Sequence, residues 1–571
     1  MRKSAAGISV HAIAGSHTVL FGMDATEEAR QGLLGFALGR RQSSNTIAWM
    51  NGFKFFRETL PDPEPGMLKS TLEHPIQDYQ WADYKASPGK TYDYVVRPLY
   101  GTPDNLKPGT DIELTVQTGN AEGSRQALHF NLGAVPGQAF ARRFGNTYPT
   151  EEEQNDPTNP KVKWLSRGLL EATLDFIGRA GPGQELRVAA YEFTYFPILR
   201  ALKDAANRGA QVRICFKSGD HRKDGDVYMD GQSLRNWDAV IQDELRLQSM
   251  SRKGLTLHMR TKWSGIPHNK FMVLLDQDRP VAIWTGSTNI TPSGFLGQSN
   301  LAHIVEDEAL ASAYNQYWEF LAKDPEVGRF REFNTQTWPT PDELRPGVHP
   351  IFSPRETGMW EWYGAEMAAA EQAGFLTAAF GVRGPVSKAF HEGNNTLRFM
   401  LAENGGNHAT IKAAMALVEA DPDNIVAYGN LLARRTVTAG LEGNQLDNWF
   451  LREQRHRKEG HVFYIHTKMM MIDPLSDRAR IFSGSANFSE PSVTRNDENM
   501  LLFAGDWARE IAPIMLTEYN RLHRHLYFRT VALRNAGRDP RPAAFLESDD
   551  SWQVSHFTEG REKFRKRKLF S

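Results

Sequence analysis

The sequence predicts an α/β protein: two similar lobes with mixed sheets, related by a pseudo-twofold axis and preceded by a small β-sandwich-like domain. Three observations predict it. Strand-like runs alternate with turns over residues 1 to about 120, and a helix–strand–helix–strand order is written twice between about 160 and 535. A paired His-x-Lys and Gly-Ser-x-Asn pattern then falls at the same place in both copies.

At 571 residues, and with about 150 residues per domain, the chain has length for three or four packed units. Its composition, 40% hydrophobic and 24% charged, is globular. With a mean hydropathy of -0.50 it has no uninterrupted apolar run of the roughly 18 residues that cross a bilayer. No transmembrane segment is expected, and membrane contact would be peripheral. Lys and Arg number 67 against 68 Asp and Glu, a formal charge of -1, so the chain lacks the field that draws proteins onto polyanions. An anionic substrate must be held by a local site. Cys215 is the only cysteine, which excludes an intramolecular disulfide and favours a reducing, cytoplasmic setting. The opening MRKSAAGISVHAIAGSHTVLF is basic, but Ser4, Ser9, His11 and Ser16 interrupt the apolar stretch that export needs.

In the first domain (1–120), GISVHAIAG, HTVLFGMD, TYDYVVRPLYG and DIELTVQTG read as strands. Tyr92, Tyr94 and Val96 alternate with Asp93, Val95 and Arg97, the period-two signature of a sheet. ATEEARQGLLGFALGRR carries apolar residues at helical spacing and predicts a helix against that sheet. Residues 121–160, polar and Pro-rich through TEEEQNDPTNPK, read as a linker. The first lobe (161–345) runs WLSRGLLEATLDFIGRA helix, RVAAYEF strand, FPILRALKDAANRGA helix, QVRICFKSG strand, which contains a βαβ unit with a parallel pair. The second lobe (346–535) repeats this order in MWEWYGAEMAAAEQA, FLTAAFGV, VSKAFHEGN and TLRFMLAE. Long helices end the copies, ALASAYNQYWEFLAKD and DWAREIAPIMLTEYNRLHRHLYFR, and residues 536–571 read as a basic, solvated tail.

His-x-Lys occurs four times, at His221, His268, His456 and His466, and a lone instance is ordinarily a half-buried strand edge. Only His268 and His466 lead into apolar strands, FMVLLD and MMMID, where period two puts each His and its Lys (Lys270, Lys468) on one face. A turn and a returning strand then deliver Gly286-Ser287-Thr288-Asn289 in the first copy and Gly484-Ser485-Ala486-Asn487 in the second. The His-to-Asn separation is 21 residues in both, from which equal hairpins are expected.

These residues resemble the phospholipase D superfamily, whose signature is His-x-Lys-x4-Asp followed by Gly-Ser-x-Asn, twice in one chain or once in each of two subunits. The resemblance spans about 160 to 535 and is nearest to bacterial phospholipase D-like proteins. It implies two phospholipase D-like lobes facing one cleft and a metal-independent phosphodiesterase with no cofactor. HTKMMMID, GSANFS and NDENM match throughout, whereas HNKFMVLLD carries one residue too many before Asp276. In the family that Asp supports structure, so the departure bears on Asp276 more than on the chemistry.

Attack on a phosphodiester needs a nucleophile, an acid for the leaving oxygen and positive charge for the nonbridging oxygens. His268 and His466 supply the first two; Lys270, Lys468, Asn289 and Asn487 supply the third. Ser287, Ser485 and Asn300 are assigned to substrate binding. Eleven residues after each motif Asn stand Asn300 and Glu498, a position that supports the imidazole in the family. Glu498 is expected beside His466 and Asn300 beside His268. A carboxylate favours the imidazolium, which makes His466 the general acid and His268 the nucleophile. The substrate implied is a phospholipid, as in lipid degradation, with DNA or RNA as the alternative and a noncatalytic scaffold as the least favoured class. An oligomer is not required for a complete site.

Weaker signals carry bland readings. DHRKDGDVYMDG (220–231) lacks the closing Glu of a calcium loop and reads as a flexible, lid-like loop. Cys215 and Met469–Met471 read as strand core, and His221, His258, His391, His408 and His456 receive no role.

Overall fold

The computed structural model describes residues 1–64, 67–120, 123, 125–135, 137–145, 147–217, 237–245, 251–263, 265–341, 343–406, 408–429, 465–534 and 545–571. The lid-like loop at 220–231 and the His-x-Lys sequences at His221 and His456 lie outside them. The described residues form two compact units, 1–120 with 513–571 and 123–429 with 465–512.

The first unit packs two antiparallel sheets around one core. Arg2–Ala5, Ile8–Ala14, Val19–Ala25 and Gln80–Asp83 form one sheet; Asn105–Pro108, Thr91–Thr102, Gly35–Ser43 and Thr46–Trp49, with Ile112–Gln117 paired to Thr91–Thr102, form the other. Alternation sets the faces: Ile112, Leu114 and Val116 are buried while Glu113, Thr115 and Gln117 are exposed. Val10 and Phe21 of one sheet meet Phe36, Tyr94 and Val96 of the other.

Two expectations fail in this unit. The helix over 25–41 shrinks to Glu27–Arg30, capped by Thr26, and Gly35–Ser43 is a strand. The run LLGFALG satisfies either period, and sheet pairing decides it: a Cβ at Gly35 would stand 2.6 Å from the Ile76 carbonyl oxygen. The basic end is not a solvated tail either. Trp552 enters the core, Phe570 is fully buried, and Arg567 of helix Glu562–Phe570 pairs with Asp24.

The second unit contains an eight-stranded and a seven-stranded mixed sheet with the same strand order. The first runs Gln126–Phe130, Leu301–Val305, Arg279–Gly286, Lys270–Asp276, Gln184–Ala190, Gln211–Lys217, Leu255–Arg260 and Ser251–Arg252. The second runs Gly347–Ser353, Glu498–Ala504, Arg480–Gly484, Met469–Ile472, Ala373–Ala378, Leu397–Ala402 and Asn424–Tyr428. Gln184–Ala190 and Gln211–Lys217 are parallel, as are Ala373–Ala378 and Leu397–Ala402. Helices Leu169–Gly178 and Phe196–Asn207 cover the first sheet through Leu169, Phe176, Ile198 and Leu202. Helices Gly358–Ala368 and Gly384–His391 cover the second through Met359, Tyr363, Val386 and Phe390. The helix read over WLSRGLLEATLDFIGRA breaks at Arg167 and Gly168, both at positive φ.

The reading of 121–160 as a linker is corrected. Gln126–Phe130 is the edge strand of the first sheet, paired with Leu301–Val305. Pro-rich text concealed a five-residue strand, QALHF, too short to stand out by alternation.

The equal hairpins are corrected as well. In the first sheet the strands run on to Asp276 opposite Arg279, around Gln277 and Asp278 at positive φ, with a register shift beside Leu275. In the second, pairing stops at Ile472 opposite Arg480, and Asp473 at φ 48° starts a longer connection. Equal residue counts arise from a long hairpin with a tight turn and a short hairpin with a wide one.

Candidate active site

Each His-x-Lys strand begins where the parallel strands of its sheet end, the side of an open α/β sheet where ligands bind. Ala190 stands opposite Lys270, and Leu376 opposite Met470. Period two then makes Lys270 continue the row of Met272 and Leu274, and Lys468 that of Met470 and Ile472, which are core residues. That buried row fixes the lysine stems. Both lysines are 1% exposed, and each ammonium donates to the carbonyl of its own histidine, at 2.7 Å in both copies.

The two histidine rings lie 6.4 Å apart, centroid to centroid. Their support is crossed between the sheets. His268 Nδ1 bonds Glu498 Oε2 at 2.8 Å, and His466 Nδ1 bonds Asn300 Oδ1 at 2.9 Å. The expectation that Glu498 serves His466 and Asn300 serves His268 is therefore overturned. The physical reason is the strand connection at each histidine: Pro267 bridges Asp497, and Ile465 bridges Ser299, so each histidine enters beside the other copy's acceptor strand.

Ser287 and Ser485, read as substrate-binding, hydrogen-bond the acceptors of the two histidines. Ser485 Oγ donates to Glu498 Oε2 at 2.6 Å, and Ser287 Oγ to Asn300 Oδ1 at 2.9 Å. Each accepts in turn from a backbone N–H, of Asn499 and Leu301. They hold the acceptors in place, and Asn300 is likewise a partner of histidine. The amide of Asn300 donates through Nδ2 to the Gly294 carbonyl at 2.8 Å, so its oxygen must face His466. That sets the His466 proton on Nδ1 and leaves Nε2 for chemistry.

Asn289 donates to Glu192, and the backbone N–H of Asn487 donates to Ser492 Oγ at 3.3 Å. Asp473 accepts from the backbone N–H groups of Glu371, Gln372 and Ala373, a structural anchor. The Asp276 carboxylate accepts from Gln184 Nε2 at 3.4 Å.

Burial pushes both histidines well below their usual range, and Lys270 and Lys468 push them further; the carbonyls of Ser485 and Ser287 oppose this. Burial also lowers both lysines and raises Glu498 to about 7, with Lys270 pulling it back. A buried group of basic side chains beside two carboxyls, Glu498 and Glu192, is suited to an anion, whose charge would restore the cationic forms.

Four contributors carried no pattern in the sequence. Asn131, from the supposed linker, accepts from the Asn300 N–H at 2.9 Å and donates to the carbonyls of Gly294, Phe295 and Gln298. Glu192 holds Asn289, and the ring of Tyr191 lies 4.9 Å from that of His268. Arg260 binds Asp497, the residue before Glu498, at 2.8 Å. The remaining signals are structural. Cys215 is buried, which pushes its thiol up and out of reach of ionisation; Met469, Met470 and Met471 are wholly buried; His258 packs on Trp318. Among the described residues no three His, Cys, Asp or Glu side chains could hold a metal ion, and no helix is long and apolar enough to cross a membrane.

Residues 174–321 match the family described as cardiolipin synthase, PLD-like domain. Among solved structures, the chain is similar to Nuc from Salmonella typhimurium, a phospholipase D family member, at 23% identity over 27% of this chain and 86% of that one, with a TM-score of 0.20. It is similar to phosphatidylserine synthase from Haemophilus influenzae at 13% identity over 66% and 89%, TM-score 0.41. Polyphosphate kinase from Porphyromonas gingivalis matches at 10% identity over 64% and 52%, TM-score 0.38. No curated protein matches the chain.

Proposed function

We propose that the chain, whose residues 174–321 match the cardiolipin synthase, PLD-like domain family, is a phosphodiesterase of phospholipase D type that cleaves or exchanges phospholipid diesters through a phosphohistidine. One observation carries this reading: two histidines 6.4 Å apart, each completed by an acceptor from the other sheet, form one site with two differently tuned rings.

In the proposed reaction His268 Nε2 attacks phosphorus. A P–N bond forms, the P–O bond to the leaving alcohol breaks, and His466 Nε2–H passes its proton to the departing oxygen. Water or a small alcohol then attacks phosphorus, loses its proton to His466 and breaks the P–N bond. Lys270 and Lys468, with the amides of Asn289 and Asn487, neutralise the phosphoryl oxygens. The assignment of His268 as nucleophile stands on a different ground from the one read in the sequence. Phosphorylated imidazole is cationic while Nδ1 keeps its proton, and Glu498 stabilises that cation. Asn300 gives His466 no charge to retain its proton, which suits an acid that must release it.

The near-zero net charge favours lipid over nucleic acid, since phosphate-backbone binding draws on a positive field. The test is purified protein with phosphatidylcholine vesicles and ethanol, in parallel with single- and double-stranded DNA and RNA, each with and without EDTA. Phosphatidic acid and phosphatidylethanol are expected, at rates that chelation leaves unchanged. Nucleic-acid cleavage with no lipid product overturns the lipid substrate, and full loss in EDTA overturns the two-histidine mechanism.

A further inference from the structure

We propose that Arg260 is a positioning residue that governs the His268–Glu498 pair through Asp497. The inference rests on the histidine chemistry above and adds a residue that lies in none of its motifs.

Arg260 ends the strand Leu255–Arg260 and is 1% exposed. Its Nε donates to Asp497 Oδ2 at 2.8 Å, and its Nη1 to Asp324 Oδ1 and to the Pro325 carbonyl, both at 2.7 Å. Asp497 is wholly buried, and its backbone holds the approach to His268: the His268 N–H donates to its carbonyl at 2.8 Å, and its own N–H donates to the Ile266 carbonyl at 3.0 Å. One residue further on, Glu498 bonds the His268 ring. A single residue pair thus ties the backbone of the histidine and the side chain of its partner to a guanidinium on another strand.

The other half-site shows what this adds. The position corresponding to Asp497 is Ser299, which accepts from the His466 N–H at 3.3 Å and from the Thr467 hydroxyl. That support is neutral. The acceptor beside it, Asn300, is neutral too, so no second charge has to be balanced. Beside His268, Asp497 and Glu498 are consecutive buried carboxyls, and each charge raises the cost of the other. Burial lifts Asp497 to about 6, with Arg260 lowering it and Glu498 raising it. The groups facing this pair are Lys270 and Lys468 around Glu498, Asp324 and Arg260 around Asp497, the thiol of Cys215, and the phenols of Tyr317 and Tyr363. Arg260 is the cation that offsets Asp497, and so lets Glu498 keep its charge for His268.

The sign of the effect follows. Removing the Arg260 charge raises the proton affinity of the His268–Glu498 pair; removing the Asp497 charge while Arg260 remains lowers it. The acid limb of kcat/KM for bis(p-nitrophenyl) phosphate should move up by roughly one pH unit in Arg260→Gln and down in Asp497→Asn. The double variant should return toward the wild-type limb, and Arg260→Lys should keep the limb with a lower kcat. A merely structural role lowers activity or Tm in both variants without opposite shifts, and that result overturns the proposal. ¹⁵N-histidine NMR of the full chain, with the His268 signal assigned from His268→Ala, gives the same titration without turnover. If the wild type cleaves no diester, the proposed function fails while the NMR shifts still decide the role of Arg260.

Discussion

His268 faces a carboxylate held by Ser485 and by the amide of Asn496, with a buried ion pair behind it. His466 faces an amide held by Ser287, with a serine behind it. The sheet strand order and the serine donors are alike in the two half-sites, and the charge differs. On the proposed mechanism, two similar sheets thus have one copy tuned to carry a covalent cation and the other to give up a proton.

The largest break in this comparison is expected from the histidines themselves. His268→Ala should lose about 10⁵-fold or more in kcat toward every diester and form no phosphoenzyme. His466→Ala should lose roughly 10³-fold with an alkyl leaving group but far less with p-nitrophenolate, which departs unprotonated, and phosphoenzyme should accumulate on His268. Mass spectrometry finding phosphate on His466 in the His268→Ala protein would reverse the roles. Next come the lysines. Lys270→Ala and Lys468→Ala should each cost about 10²- to 10³-fold, and tungstate should bind once per chain by calorimetry, weakened by either change. Two independent anion sites would break the shared site.

The partners sharpen the contrast at a smaller scale. Glu498→Gln should slow phosphoenzyme formation by about 10- to 100-fold, seen in a rapid-quench burst. Asn300→Asp places a carboxylate beside His466, raises its proton affinity, and should move the basic limb of the pH profile to higher pH. A shift of the acid limb instead would show that the two rings do not have separate tasks. The serines should matter least. Ser485→Ala removes a hydrogen bond to a charged group, worth about 1.5–3 kcal/mol, and Ser287→Ala one to a neutral amide, worth about 1 kcal/mol; chemical denaturation should rank them in that order.

The residues at the centre of the site were legible because they sit on short strands with fixed offsets. What they touch was not. Glu498 is 11 residues from Asn487 in sequence yet binds a histidine 230 residues away, and no local spacing encodes that. Asn131 and Arg260 stand in text with no motif, one in a Pro-rich stretch and one at a strand end, and only the folded register brings them to Asn300 and Asp497. The succession of helices and strands in the lobes, with the parallel pair of the first, was readable from their alternating patterns; the order of strands in each sheet was not. The helix expected over 25–41 failed where LLGFALG fitted both periods, and the terminal residues were misread because a basic run says nothing of Trp552 and Phe570 beside it.

The crossed histidine contacts also set an order of events in synthesis. At about 5–20 residues per second on the ribosome, Glu498 emerges roughly 10 to 50 s after His268, the two being separated by 230 residues. Asn300 is made before His466, by 166 residues, and waits for it. The long strands of the first sheet can pair through their own hairpin in that interval, but the first histidine has no carboxylate until nearly the whole second lobe has been made. Between those two points the nascent chain carries His268 without its carboxylate, and the pair is assembled only once Glu498 has emerged.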